Sequence, residues 1–368
     1  MLKLFFDCRY TRTRVHDGIS RFTASLVEAA AQKADVTMLI HDPEQLNLLP
    51  DLPHLRISSP TSAREPWVAR QLNPHRPDVV FSPMQTMGGI GRRYPLILTV
   101  HDLIYYEHPT PPRNLPAAVR LGWRAYHWSY LPQRLVLNQA DAVATVSETT
   151  RRLIREHRLT RRPVELVSNA PPAVDCPRNP GAPPSRELVY MGSFMGYKNV
   201  ESVIAGLNRL PEYTLHLCSP IEKTREGQLR ALAADPEQLV FHRGISEPEY
   251  RELLQSATAL VTLSRAEGYG LPVVEAMAHG TPCVLSDLPI FREIGGAAVS
   301  EDGAQLVPPQ DPAAFAAAVR RLEVPAHFAR ASAAARERSI EFSWEDSAER
   351  LVALGQRLAG HGNAARSR

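Results

Sequence analysis

The sequence predicts an α/β protein built from two Rossmann-like, doubly wound parallel-sheet domains, and three observations carry that prediction. Short β-like runs alternate with amphipathic helical segments along nearly the whole chain, a proline-rich stretch interrupts the alternation near its middle, and 368 residues are long for one α/β domain but comfortable for two. Alternating βα order implies parallel sheets, whose ligands bind at the carboxyl ends of the strands.

The first half opens with a strand over Leu2–Phe6, followed by a helical segment over Ile19–Gln32 that sets Ile19, Phe22, Leu26 and Ala30 on one face. Further strands are expected at Val36–Ile40, Val79–Ser82, Leu96–His101, Ala142–Val146 and Val164–Val167, with Ser147 capping a helix that ends near His157. Residues 170–186 hold six prolines and Gly181, a composition that continues neither element and reads as a linker. The alternation then restarts with strands at Leu188–Met191, Thr214–Cys218, Leu239–His242, Leu260–Leu263 and Cys283–Leu285. Helices are expected from Val200, near Arg225–Ala234, from Glu247 behind a Ser246/Glu249 capping box, from Pro272, from Asp311-Pro312, and from Ser343 to near Gly360. The expected organisation is therefore an N-terminal domain at 1–170, a linker at 171–186, a C-terminal domain at 187–342, a closing helix at 343–360 and a small, polar tail at 361–368 expected to be disordered.

Composition is that of an ordinary globular protein, with 44% hydrophobic and 22% charged residues, which argues against disorder and fibrous classes. A formal charge of +3, dispersed along the chain, lacks the dense basic stripe that nucleic acid demands. Cys8, Cys176, Cys218 and Cys283 lack the spacing of a zinc ribbon, a thioredoxin-type site or a disulfide framework, so reduced thiols and a cytoplasmic location are expected. Leu4-Phe5-Phe6 is too short for a signal peptide, and no apolar run reaches the roughly 18 residues that spanning a membrane takes.

Three motifs carry chemistry. Glu267-Gly-Tyr-Gly-Leu-Pro-Val-Val-Glu275 sets two carboxylates around a glycine turn and a helix start: Gly268 and Gly270 let the backbone turn and approach a ligand, and Pro272 suits the first helical turn. The N–H groups of Tyr269, Gly270 and Leu271 then lie at the positive end of a helix, where a phosphate or a ring of hydroxyls can be held. Taken singly, a Glu in a first turn is ordinary capping and Gly-x-Gly an ordinary turn. The second motif runs from Gly192 and Ser193 to Lys198-Asn199 after the first strand of the second half, a strand, glycine loop, lysine and helix order that suits phosphate. Lys198 is one of four lysines among 42 basic residues, so it either marks a point-charge role that Arg fills poorly or is an exposed lysine before an Asn cap. The third is His101-Asp102, directly after an expected central strand; neighbouring residues on an extended strand point oppositely, which argues against a shared metal and leaves a ligand contact or a structural histidine.

The full Glu267-to-Glu275 run, with Ala-Met-Ala-His-Gly-Thr-Pro after it, closely resembles the Glu-x7-Glu motif of the retaining glycosyltransferases of family 4, which have the two-domain GT-B fold. Gly192 to Lys198 is similar to that family's Gly-x5-Lys segment, Thr99 to Leu103 to the His-Asp-Leu stretch of its mannosyltransferases, Asp17-Gly18-Ile19 to its glycine loop, and Phe342-Ser343-Trp344 to the sequence before its last helix. The chain departs from the family at Ser193, where Arg is common and for which Arg265 is a candidate substitute, and at Ser168-Asn169-Ala170, where Pro-Asn-Gly is usual.

The resemblance implies a cleft between the two domains, acceptor on the N-terminal side and nucleotide-sugar donor on the C-terminal side. It gives His101 contact with the reacting sugar, Glu267 a positioning and electrostatic role beside the oxocarbenium-like centre, Lys198 the donor diphosphate and Glu275 the nucleotide ribose. Gly18, Gly192, Ser193, Arg265, Tyr269, Gly270 and Leu271 complete the expected donor-binding set. It further implies retention by a front-face route, a GDP- or UDP-sugar as substrate with GDP-mannose the best reading, no separate cofactor and no metal requirement, helix dipoles and Lys198 supplying the positive potential. A GT-B epimerase or phosphorylase, or a catalytically silent glycan-binding protein, are the competing classes. Finally, residues 114–136 crowd Arg120, Trp123, Arg124, Tyr126, His127, Trp128, Tyr130 and Arg134 onto an expected helix, which reads either as a core helix with a solvated arginine face or as a peripheral contact with the inner membrane face beside a lipid-linked acceptor.

Overall fold

Both sheets are parallel throughout, and both reverse their strand order once. The computed structural model describes residues 1–110, 117–296 and 304–366. Among them, β1 (Lys3–Asp7), β2 (Asp35–Ile40), β3 (His54–Arg56), β4 (Val79–Ser82), β5 (Leu96–Val100), β6 (Ala142–Thr145) and β7 (Val164–Leu166) form one sheet in the order β3-β2-β1-β4-β5-β6-β7. The second sheet has β8 (Glu187–Tyr190), β9 (Thr214–Leu217), β10 (Leu239–Phe241), β11 (Ala259–Thr262), β12 (Cys283–Ser286) and β13 (Ala304–Val307) in the order β10-β9-β8-β11-β12-β13. Every residue of β4, β5, β6, β11 and β12 is buried, because helices cover both faces; this is why these strands read in the sequence as unbroken apolar runs.

The chain divides into two compact units, Met1–Asn169 with Ser343–Arg368, and Ala170–Phe342. In the first, the helix Gly18–Ala31 packs on the closing helix Trp344–Arg366, and the Trp344 ring meets Phe22 edge-on at 5.9 Å. A buried charge cluster ties the loop beyond β1 to the segment after β3 and to the end of β4: Arg9, 1% exposed, donates to both oxygens of Asp7 and both of Glu65, and Ser82 Oγ donates to Asp7. With four bonds to carboxylate oxygens and a fifth from Nη1 to Ser58 O, burial of the guanidinium is tolerated. In the second unit, the helix Val200–Leu207 lies so close to the helix Pro312–Arg321 that a Cβ on Gly206 would stand 2.2 Å from Phe315 Cδ1. Only glycine lets these two helices meet at that distance.

Several expectations are corrected. The proline-rich stretch is held against the second unit: the Arg178 backbone N–H donates to His279 O at 3.0 Å, its Nη1 to Ala257 O at 2.6 Å, and its guanidinium lies 4.5 Å over the Phe328 ring. Prolines exclude helix and ladder, but they do not say whether the extended chain is free. The closing helix continues to Arg366, past the expected end near Gly360, so 361–366 of the expected disordered tail are helical and 367–368 lie outside the described residues. Residues 117–127 and 131–139 form two helices where one was expected over 114–136, and 114–116 lie outside the described residues. The strands β3 and β13 and the helices Pro289–Gly295 and Pro325–Ser339 were not anticipated. β3 is three residues of mixed polarity at a sheet edge, too short to show a period.

His279 caps the helix Leu271–Ala278, is 5% exposed, and is pushed down to about 4 by burial and then by Arg251 and Arg336. Burial lowers His101, His127 and His216 in the same direction. Below the ordinary value of about 6.5 the unfolded chain takes up a proton that folded His279 refuses, so this contribution is complete above pH 6.5 and is lost as pH falls toward 4. Urea midpoints should therefore drop between pH 7.5 and 4.5, His279 contributing on the order of 2–3 kcal/mol, and His279→Gln should flatten that dependence. An unchanged slope in the variant would refute the assignment to His279.

Candidate functional site

The strand order of the second sheet reverses between β8 and β11, and a crevice outside the carboxyl ends of the strands at such a point is where doubly wound sheets hold ligands. The loop after β8 carries Gly192, Ser193 and Lys198; the loop after β11 carries Arg265, Glu267 and Gly270. Lys198 Nζ donates to both carboxylate oxygens of Glu267, at 2.9 and 2.6 Å, and the two side chains are 15% and 16% exposed. The Arg265 backbone N–H donates to Tyr197 O at 2.7 Å. Lys198, Arg265 and Glu267 are thus brought together, and the Lys198–Glu267 ion pair is a feature that reading each residue separately missed.

Asn199 is the residue that joins the two loops. Its φ is +53°, a left-handed conformation that Asn tolerates better than most residues, and it is 2% exposed. Nδ2 donates to Leu263 O at 2.8 Å and Pro309 O at 2.7 Å, while Oδ1 accepts from Ser202 Oγ at 2.9 Å and Arg265 Nη2 at 3.2 Å. One side chain therefore bonds the end of β11, the loop after β13, the first turn of the helix Val200–Leu207 and Arg265. The order Lys-Asn before a helix was visible in the sequence, yet only an N-cap would have been read from it, and Asn199 makes no side-chain cap bond.

The glycines have particular reasons. At Gly192 a Cβ would stand 3.0 Å from the Tyr190 hydroxyl, its N–H donates to Ser219 Oγ at 3.0 Å, and that tyrosine hydroxyl donates to Ser193 O at 2.7 Å. Burial, with the Glu267 carboxylate next, holds the Tyr190 phenol well above its ordinary value, so it stays a donor to Ser193. Gly270 has φ +104°, and a Cβ there would stand 3.0 Å from Phe291 Cε1. It precedes the helix Leu271–Ala278, with Pro272 in the first turn. Glu275 lies on this helix and is 7% exposed. The Tyr269 ring is buried edge-on to Phe342 at 6.4 Å, which leaves its backbone for any ligand contact. An ammonium, a carboxylate and the starts of two eight-residue helices form an arrangement able to hold an anion beside a polyhydroxylated ring.

Gly18 and His101 belong to the first unit. Gly18 is exposed and starts the helix Gly18–Ala31, whose N-cap Asp17 accepts from the Ser20 N–H at 2.9 Å. His101 follows β5 directly. Its Nε2 lies 2.7 Å from Pro83 O, which makes Nε2 the protonated nitrogen and Nδ1 the acceptor, and its ring meets Phe22 edge-on at 5.0 Å. Burial lowers its affinity for a second proton. It lines a recess of about 120 Å³ with Ile19, Gln85, Tyr105, Tyr106 and His127 among its neighbours, residues the sequence reading did not assign to His101. Among the described residues, no three His, Cys, Asp or Glu side chains gather as a metal-ion site.

Asn199→Ala strands the Leu263 and Pro309 carbonyls and releases Arg265; a loss of about 2–4 kcal/mol is expected in urea unfolding. Asn199→Gly keeps the left-handed backbone without the bonds and should lose nearly as much. If Gly at this position matched the parent, the conformation rather than the tether would be the important feature.

The matches to known proteins agree with this geometry. Residues 16–171 match the family model described as Glycosyltransferase Family 4, and residues 185–323 the model described as Glycosyl transferases group 1. The chain is 29% identical over 282 residues to the MMP alpha-(1->4)-mannosyltransferase of Mycolicibacterium hassiacum, covering 71% of this chain and 65% of that protein. It is 30% identical over 135 residues to the GDP-mannose:cellobiosyl-diphosphopolyprenol alpha-mannosyltransferase of Xanthomonas oryzae pv. oryzae, covering 35% and 34%. Each match thus spans less than two thirds of the relative's own length. Sucrose-phosphate synthase from Thermosynechococcus elongatus shares the fold, with a TM-score of 0.76 at 19% identity over 98% of this chain and 100% of that one. With two doubly wound parallel sheets and a glycosyltransferase family model over each half, the chain has the α/β GT-B fold and is of the family 4 glycosyltransferase type.

Proposed function

We propose that the protein is a retaining hexosyltransferase that takes mannose from GDP-mannose and passes it to a glycan or lipid-linked acceptor. The single observation that carries the reading is the Lys198–Glu267 pair at the strand reversal of the second sheet. Mannosyl transfer and the GDP-linked donor draw support from the names of the relatives above.

Cleaving the bond between the anomeric carbon and the diphosphate puts positive charge on the sugar ring and negative charge on the leaving group, and the site must stabilise both. An ammonium has three N–H bonds, of which Glu267 takes two, so Lys198 can donate the third to a diphosphate oxygen while still holding the carboxylate. Glu267, fixed by that grip, accepts from sugar hydroxyls and stabilises the oxocarbenium-like ring. Backbone N–H groups at Gly270, Leu271 and Ser193 face the phosphates, while the Gly192 N–H stays on Ser219 Oγ and the missing Gly192 side chain leaves room for the ligand; Arg265 supplies further positive charge; Glu275 takes the ribose. On the first unit, His101 can accept from a sugar hydroxyl through Nδ1. In the front-face route the acceptor oxygen bonds the anomeric carbon on the face from which the phosphate leaves, and the departing phosphate oxygen takes the acceptor's proton. Lys198 and the helix starts supply the potential that a divalent ion supplies elsewhere, so activity should survive chelation.

Calorimetry with GDP, UDP and ADP should give GDP the tightest binding, and Lys198→Ala should weaken GDP at least tenfold while leaving GMP less affected. Glu267→Gln should keep GDP binding within a few-fold yet lower kcat about 10²- to 10³-fold in transfer from GDP-mannose. No binding to any nucleoside diphosphate, or full turnover by Glu267→Gln, would overturn the proposal.

A further inference from the structure

We infer that the outer face of residues 119–135 is a docking surface for an anionic lipid bilayer. Between Glu107 and Asp141 the sequence holds Arg113, Arg120, Arg124 and Arg134 and no acidic residue, so this stretch alone carries +4 in a chain whose net charge is +3. The helices Ala117–His127 and Leu131–Gln139 separate its side chains into two sets.

One set faces the protein. Trp123 and His127, one helical turn apart, have ring centroids 4.1 Å apart; Tyr105 meets Trp123 edge-on at 5.0 Å; Tyr106 lies 4.2 Å from Tyr130; and Tyr130 stacks on His157 at 4.5 Å. On the second helix Gln133 and Leu137 are fully buried. The other set faces water. Leu121, Arg124, Ala125 and Trp128 follow helical spacing and are exposed, Leu121 by 70% and Trp128 by 92%; Leu131 and Leu135, one turn apart, are 58% and 60% exposed. A folded protein that already has an inner aromatic seam gains nothing from a second apolar stripe left in water.

Trp and Leu beside arginine, in a stretch whose four arginines outnumber the one neighbouring acid, Glu107 beside Tyr130, is the pattern of an interfacial segment: indole and leucine enter the headgroup and acyl boundary while guanidinium groups meet lipid phosphates. The charge balance favours an anionic bilayer over a second copy of this chain, because two such faces would oppose arginine to arginine. The inner residues Tyr105, Tyr106 and His127 also line the His101 recess, so the same wall serves both faces. Docking itself stands on this surface; only its link to a lipid-linked acceptor rests on the proposed function.

The assignment also decides between the two tryptophans. Full-length protein should co-sediment with vesicles of phosphatidylglycerol and phosphatidylcholine, less with phosphatidylcholine alone, and less at high salt. The variant Trp128→Ala with Leu131→Gln should lower the bound fraction at least tenfold, and Arg124→Ala should lower it less, whereas Trp123→Phe should leave it unchanged. Calorimetry with GDP on the same proteins reports that they are folded, and a failure of GDP to bind would count against the proposed function without touching the docking surface. No binding to the anionic vesicles, equal binding by the double variant, or a concentration-dependent dimer that the double variant abolishes in place of vesicle binding would overturn the inference.

Discussion

One side chain in an uncommon backbone conformation holds the candidate donor site of the second unit together. Asn199 must be left-handed for its amide to reach Leu263 O and Pro309 O while its oxygen accepts from Ser202 and Arg265. The loops after β8 and β11 start from neighbouring strands, but neighbouring strands alone fix only where loops begin. Without a bond between their middles, Lys198 and Glu267 would each sample many rotamers, and pairing them would cost the ordering entropy of two long side chains. With Asn199 and the Arg265–Tyr197 backbone bond in place, the ion pair forms between groups already brought near each other. Such a site resists replacement of its supports as much as of its chemistry.

Electrostatics then explains why the pair is only partly buried. Fully sealed, a lysine and a glutamate would face a desolvation penalty that their attraction does not reliably offset; fully exposed, the attraction would be worth less than about 1 kcal/mol. At 15% and 16% exposure the charges remain strong and still reachable. His101 shows the complementary solution. Its bond to Pro83 O and the edge contact from Phe22, itself backed by Trp344, keep the imidazole neutral and oriented, a polar group that accepts without bringing charge into an apolar setting.

How far the sequence could be read follows from the range of each interaction. The strands with buried faces, from Leu2–Phe6 to Cys283–Leu285, were legible because burial on both sides leaves contiguous apolar runs, and the Glu267–Glu275 turn because Gly270 takes a positive φ that favours glycine and Pro272 suits a first helical turn. β3 and β13 were not legible, since His54-Leu55-Arg56 holds one apolar residue between two polar ones and Gln305 breaks the apolar run of Ala304–Val307. The Lys198–Glu267 bond and the reach of Asn199 to Pro309 were also hidden: they join residues 69 and 110 positions apart, and no local pattern records such a partner. Trp123, in the helix Ala117–His127, and Trp128, just past its end, illustrate the same limit over six residues. Composition places both in a basic, aromatic segment, and only the fold sends one inward to His127 and the other into water.

That division of the aromatic residues constrains how the first unit can vary. Tyr105, Tyr106 and His127 line the recess and support Trp123 and Tyr130, so changing any of them alters the recess and the base of the exposed stripe together. Leu121, Trp128, Leu131 and Leu135 carry no such double duty. Their exposure means that stability scarcely depends on them, and a polar residue at any of the four would make the protein easier to keep in solution. Core packing explains the inner ring and leaves the outer one unexplained. A surface that folding does not require, continuous with the wall of a recess and built from a stretch with four arginines and no acid of its own, is accounted for most simply by something outside the chain that it meets.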